Sequence, residues 1–373
     1  MGPLQIGNLT VKYPVVQGGM GVAISLSGLA SAVAEAGGIG VISAAAIGMT
    51  EPGFAKDYRK ANQTALKKHI SRARSLTNGV LGVNLMVALS DYDELLETAI
   101  NEEIDVLFLG AGLPLKLPKQ ILEKGLANLH TKFIPKVSSP KAAKLIFQYW
   151  ASKYDYIPDG VVVEGPKAGG HLGFKKAELN GQQPELPDLI RSTVEEVKAF
   201  EAKFNKQVPV IAAGGIYTGK DIHEIMKAGA SGVKMGTRFV TTFECDADIA
   251  FKKSYINSSK DDIKLIDSPV GLPGRVIDSS FVQQINNGEK KPFNCPWQCL
   301  KSCNYKEAPY CISQVLLNSA KGKMDKGFAF AGTNAYRATS IQSVASIFDE
   351  LIGEYDFAAN EKLIMTNFRK IAV

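Results

Sequence analysis

Cysteine is scarce and unevenly placed: the chain of 373 residues has five, four of them bunched between 295 and 311. That is not the framework of a small secreted disulfide protein. The stretch Met1 to Gln17 has no basic segment followed by an apolar core and a cleavage site, so no leader is expected there. Long apolar runs are missing too. Val22 to Ala46 is interrupted by Ser25, Ser27, Glu35 and the Gly37-Gly38 pair, which argues against a membrane span. The net charge of +6 is not concentrated in any tract. The densest basic stretch, Lys56, Arg59, Lys60, Lys67, Lys68, Arg72 and Arg74, is spread as on the solvated face of a helix. Nucleic-acid and membrane partners are therefore not expected, and the expected location is the cytoplasm. A dinucleotide fingerprint is lacking as well, since "GGMGVAIS" has no acidic partner about twenty residues on after a second strand.

What the chain does have is eight short apolar runs separated by helix-like stretches or long loops. They are Tyr13–Gln17, Ile39–Ser43, Val80–Asn84, Asp105–Leu109, Lys132–Lys136, Gly160–Glu164, Val208–Ala212 and Ser231–Met235. Richness in Val, Ile and Leu suits parallel strands buried on both faces. In "SLSGLASAVAEAGG", Ser25 or Ser27 is the expected cap and Gly37 the terminator. In "TGKDIHEIMKAGA", Thr218 is the expected N-cap, with Asp221 at N3 and Gly229 near the C-cap. Eight strand–helix repeats predict an α/β fold, a (β/α)8 TIM barrel of roughly 250 residues, with an extra lobe after strand eight. The expected organisation is a barrel over 1–244, a lid-like lobe over 245–327, and a helical segment over 328–373 that returns to the barrel.

The barrel gives the strand ends a common address, because active sites of this fold lie at the C-terminal mouth. Gln17-Gly18-Gly19-Met20, Asn84, Gly110-Ala111-Gly112, Lys136, Gly169-Gly170-His171, Gly214-Gly215 and Gly236-Thr237 all fall there. The turns after strands seven and eight free several backbone N–H groups at one spot, which suits a phosphate. His171, on a Gly-rich stretch, is the candidate acid or base at the mouth.

The ordered motifs "PVVQGGMG", "GGIGVIS", "GVNL", "EGPKAGGHLG", "IAAGGI" and "VKMGTRF" resemble the nitronate monooxygenase family, the 2-nitropropane dioxygenase type. That family also contains FMN-dependent enoyl-[acyl-carrier-protein] reductases and NADH:quinone reductases. The resemblance implies FMN at the mouth, with Gln17, Gly18, Gly19 and Met20 beside it and Asn84 and Lys136 bonding its polar edge. Gly169 and Gly170 would approach it closely, and Gly214, Gly215, Met235, Gly236 and Thr237 would hold its phosphate end. It implies His171 as the active-site histidine, deprotonating a neutral nitroalkane or polarising the substrate. An alkyl nitronate would be oxidised with O2; the alternatives are an enoyl thioester or a quinone reduced with NAD(P)H. A non-catalytic flavin-binding sensor is the reading from another class, and the mouth histidine counts against it. A homodimer is among the assemblies open to the chain. Lys167 departs from the family pattern, where many relatives carry an acid.

A second departure is "CPWQCLKSCNYKEAPYC", with Cys295, Cys299, Cys303 and Cys311 spaced C-x3-C-x3-C-x7-C. Four bunched thiolates suit Zn or an iron–sulfur cluster. Reduced structural thiols and redox disulfides are the other readings. Cys245 stands apart and is expected to be a small buried apolar residue.

Overall fold

The chain was analysed as a computed structural model that describes residues 1–371, with side chains through 360. Eight parallel strands close into a barrel: Val15–Gln17, Ile39–Ser43, Val80–Met86, Val106–Gly110, Lys132–Val137, Val161–Glu164, Val210–Ala213 and Gly232–Met235. Each pairs with the next in sequence, and the eighth returns to the first through Val233↔Val15 and Met235↔Gln17. All eight expected strands are present, their ends falling within two residues of the expected ones.

Alternation along the strands divides the apolar residues into two cores. Val16, Val41, Val106, Phe108, Ile134, Val162 and Ile211 point into the barrel. An N-terminal hairpin, Leu4–Ile6 paired with Leu9–Val11, adds Leu4, Ile6 and Val11 to that inner cluster. It lies at the strand N-termini, where Gly232 sits against Leu4. The bottom of the barrel is thereby plugged and only the top is open. The outer core joins the strands to the surrounding helices, and Gly40 lets helix Ser27–Glu35 press its Ala30 carbonyl against the second strand.

The helix caps follow the sequence in one case and depart in another. Thr218 and Asp221 form the expected capping box of helix Gly219–Lys227, and Gly229 follows it at φ +106. Gly37 terminates helix Ser27–Glu35 at φ +94. Neither Ser25 nor Ser27 caps that helix: Ser25 closes a turn with Met20, and Ser27 bonds His69 at 3.0 Å. Asp246, far along the chain, does so instead. Its carboxylate accepts from the backbone N–H groups of Leu26, Gly28 and Leu29 at 2.7, 3.1 and 3.1 Å. The basic stretch lies mostly on helix Tyr58–Leu76, where Lys67, Lys68 and Arg74 pair with Glu102, Glu51 and Asp105.

After the eighth strand come helix Ile249–Ile256, an antiparallel hairpin of Ile263–Asp267 and Pro273–Ile277, helix Ser280–Asn286 and helix Ile312–Ala320. The segment expected to return at once as helix does not. Residues 327–343 run mostly as irregular chain with one short turn, Ala335–Arg337, and the helix begins only at Val344. Gly327, Gly332, the β-branched Thr333 and Thr339, and Asn334 all weaken helix there. Helix Val344–Ile371 docks against helix Gly219–Lys227, and residues 372–373 of the expected segment lie outside the described residues. No helix among the described residues is long and apolar enough to cross a membrane.

Candidate active site

A cavity of about 520 Å³ opens at the strand C-termini, between the barrel and the chain that follows it. Its wall gathers residues from most strand ends. Gly18, Gly19 and Met20 come from the first strand, Asn84 from the third, Lys136 from the fifth and Glu164 from the sixth. Gly169, Gly170 and His171 follow the sixth strand. Gly214 and Gly215 follow the seventh, and Met235, Gly236 and Thr237 end the eighth.

Gln17 is the exception. It is fully buried, and its Oε1 accepts from the Val41 N–H at 2.8 Å while its Nε2 donates to the Gly18 carbonyl. Both ends of the amide are spent joining the first two strands and shaping the turn, so Gln17 is not on the wall. Met235 reaches the wall, but its side chain packs into the outer core and its carbonyl accepts from the Gly18 N–H at 2.8 Å.

The glycines are where a side chain would fill the cavity or collide with its frame. A Cβ on Gly19 would lie 2.3 Å from Asn84 Cβ. Gly214 and Gly215 have φ +96 and +84, a conformation that costs other residues about 1–2 kcal/mol. A Cβ on Gly214 would also meet the Gly165 carbonyl at 2.9 Å. Asn334 fixes this turn by donating to the Gly215 carbonyl at 2.8 Å. Opposite it, Gly236 begins the short helix Thr237–Val240, and Thr237 Oγ1 accepts from the Gly332 N–H at 3.0 Å. This pair of turns fits the phosphate of a cofactor.

His171 is not on a loose loop. Gly170 and His171 form a third strand on the lobe hairpin, with His171↔Gly274 and Gly170↔Arg275 in register. The imidazole Nε2 shares a hydrogen bond with Ser268 Oγ at 2.7 Å, and the ring lies edge-on to Phe330 with centroids 4.8 Å apart. Burial, and secondarily the positive charge of Lys136, push its pKa down to about 4. At neutral pH the ring is uncharged, with one nitrogen a donor and the other an acceptor. Arg275 holds the preceding loop: its Nη1 donates to the Pro166 carbonyl at 2.7 Å and to the Ala168 carbonyl. Burial lowers its pKa to about 10.

Three ionisable groups complete the floor. Lys136 pairs with Glu164 at 2.8 Å, and Lys234 projects inward from the eighth strand. Ser268 and Arg275 lie outside every motif quoted above, and Glu164 and Lys234 lie within "EGPKAGGHLG" and "VKMGTRF" without being singled out there. A lysine in the apolar run "GVKM" was the only visible signal among them.

The metal centre expected at the four clustered cysteines is not supported. Among the described residues, no group of three or more His, Cys, Asp or Glu side chains is arranged to hold a metal ion. Cys295, Cys299 and Cys311 line the outer part of the cavity, Cys303 does not, and all four are free thiols. Burial raises the Cys299 thiol to about 11 and the Cys303 and Cys311 thiols above their usual value. Cys299 Sγ contacts Ser313 Oγ at 3.7 Å, and the neighbouring Trp297 packs on Phe54 with centroids 4.9 Å apart. The segment contributes apolar wall. Cys245 is buried as expected.

The chain is similar to known proteins. The nitronate monooxygenase family model matches residues 3–354. A probable nitronate monooxygenase of Staphylococcus haemolyticus is 27% identical over 377 residues, 92% of this chain and 94% of that protein. A (3aS,4S,5R,7aS)-5-hydroxy-7a-methyl-1-oxo-octahydro-1H-indene-4-carboxyl-CoA dehydrogenase of Mycobacterium tuberculosis is 28% identical over 280 residues. That match covers 75% of this chain and only 67% of the relative. Among solved structures, FabK from Thermotoga maritima superposes with a TM-score of 0.72 at 27% identity, covering 95% of this chain and 96% of that one. A match over nearly the whole chain, on a closed barrel with this mouth, makes the protein an oxidoreductase of the nitronate monooxygenase family.

Proposed function

We propose that this protein is an FMN-dependent oxidoreductase that oxidises alkyl nitronates with dioxygen. The residues present fit FMN. The turns at Gly214-Gly215 and Gly236-Thr237 offer backbone N–H groups to its phosphate, and Gly18 and Gly19 leave room for its ring system. Asn84 and Lys136 supply polar atoms for the ring edge. When bound, the flavin supplies the electron acceptance that no side chain of this chain can provide.

The observation that carries the substrate class is the state of His171. An imidazole with its pKa near 4 is a weak base and serves poorly for removing a proton from carbon. A nitronate arrives already deprotonated and needs no base. His171 would then orient the substrate by hydrogen bonding, its ring fixed by Ser268 and Phe330. The lobe hairpin that carries Ser268 screens that position from bulk water. Anaerobic mixing of the FMN-loaded protein with propyl-2-nitronate should bleach the flavin, and added oxygen should restore its colour. Persistent colour would overturn the substrate assignment.

One observation favours a second reading, reduction of an enoyl thioester with NAD(P)H. The cavity continues away from the phosphate turns along Val22, Met49, Phe54, Trp297 and Leu316, an apolar wall longer than a small nitronate needs. Bleaching by NADH or NADPH alone, with colour returning on addition of a crotonyl thioester, would put this reading first.

A further inference from the structure

Lys234 has no part in the account above, yet it is the most exceptional charged residue of the barrel. It lies on the eighth strand between Val16 and Ala213 of its neighbours, faces inward, and is 8% exposed. Its Nζ has no hydrogen-bond partner among the described residues. The amine sits 3.9 Å from the centroid of the Phe108 ring, at the floor of the cavity. The charged groups near it are Lys136 on the fifth strand and Glu164 on the sixth, which are already paired with each other. The other inward neighbours, Val16, Phe108 and Ala213, carry no charge. A buried amine left unpaired costs stability, and a salt bridge or a second apolar residue would be the ordinary solution.

We propose that Lys234 is the counter-charge of the reduced cofactor, gaining its proton as the flavin is reduced. This rests on the FMN reading above. Reduced flavin near neutral pH is an anion: the ring takes two electrons and one proton. With a second proton captured by Lys234 Nζ, two electrons and two protons enter the site together, and the floor of the cavity stays neutral. Burial, with Lys136 adding to it and Glu164 opposing, already lowers the Lys234 pKa to about 7. At that position a new negative charge nearby readily shifts the balance towards the ammonium. The Phe108 ring face stabilises the same cation. Above pH 7 the neutral amine of the oxidised enzyme avoids a second positive charge beside Lys136.

The test is the pH dependence of the flavin midpoint potential in FMN-loaded wild type, Lys234→Met and Lys234→Arg. Above pH 7, where the amine of the oxidised protein is mostly unprotonated, wild type should show a slope about twice that of both variants, because two protons accompany two electrons instead of one. The variants should separate in level, with Lys234→Arg holding the reduced flavin more tightly than Lys234→Met. Proton uptake during electrochemical reduction of unaltered protein in weak buffer needs no variant. Two protons per flavin at mildly alkaline pH support the assignment, and one overturns it. A Lys234→Met protein that binds FMN with the wild-type slope and level overturns it too. Wild type that holds no FMN after reconstitution would instead overturn the cofactor reading itself.

Discussion

His171 should change the stability of the flavin-free protein with pH in a calculable way. Its pKa falls from 6.5 to about 4 on folding, a difference of about 2.5 units. At 1.36 kcal/mol per unit this amounts to about 3 kcal/mol, a ceiling because the ring borders the open cavity. The direction follows from proton counts. Between pH 6.5 and about 4 the unfolded chain holds a proton on this residue that the folded protein does not. Stability therefore rises with pH through that window, is complete above the unfolded value, and is lost as the solution is acidified towards 4. His171→Asn should abolish the corresponding part of the acid sensitivity, so the stability gap between wild type and variant should narrow as pH falls. The sharper assay is ring NMR of 15N-histidine-labelled protein. The chain has only four histidines, and the variant identifies the signal. A ring that titrates at or above 6 would refute both the linkage argument and the weak-base argument for a nitronate.

Replacing Arg275 by Met removes two charge-assisted bonds to the Pro166 and Ala168 carbonyls, worth about 1.5–3 kcal/mol each, partly offset by relief of a buried cation. Amide exchange should accelerate at 165–172 well beyond the global change, and uniform acceleration would refute the clamp. Gly214→Ala forces a side chain into φ +96 against the Gly165 carbonyl, and should weaken FMN binding at least about tenfold, roughly 1.4 kcal/mol, by fluorescence titration. Unchanged affinity would remove that turn from the phosphate site. Asp246→Ala should cost about 2 kcal/mol in denaturant unfolding, the upper end for a lost cap, because three N–H groups lose one carboxylate. Loss below about 0.5 kcal/mol would mean water replaces the cap. In native protein Cys245 and Cys299, both pushed to about 11 by burial, should be the slowest thiols to react with iodoacetamide, and early labelling of either would contradict that burial.

The barrel was legible because its determinants are local and repeated. Runs such as "GVVVE" and "SGVKM" announce buried strands, and Thr218 with Asp221 announces a helix start within four residues. The turn at Gly214-Gly215 was legible for the same reason, since paired glycines after a strand mark a tight turn that needs positive φ. What failed to show depends on partners far apart in the chain. Gln17 reads as a polar residue at a strand end, but its amide is consumed by Val41 and Gly18. Ser268 meets His171 across 97 positions, and nothing in its neighbourhood marks it. The cysteine spacing suggested a metal because spacing is all a sequence offers. How the four sulfurs are oriented is decided by an irregular segment pinned elsewhere, through Leu300 on Leu89 and Trp297 on Phe54.

The cap on helix Ser27–Glu35 has a consequence for how the chain is made. Leu26 and Asp246 are separated by 220 positions, so the ribosome releases the helix long before it releases the carboxylate that completes it. Until then three amides at its start depend on water, and the helix is held by its packing on the second and third strands and on helix Tyr58–Leu76. A fragment ending before 246 would contain all eight strands and still lack this stitch. The arrangement makes the first turn of the fold a reporter on arrival of its last third, so a prematurely terminated chain should fray there and be open to proteolysis near Leu26.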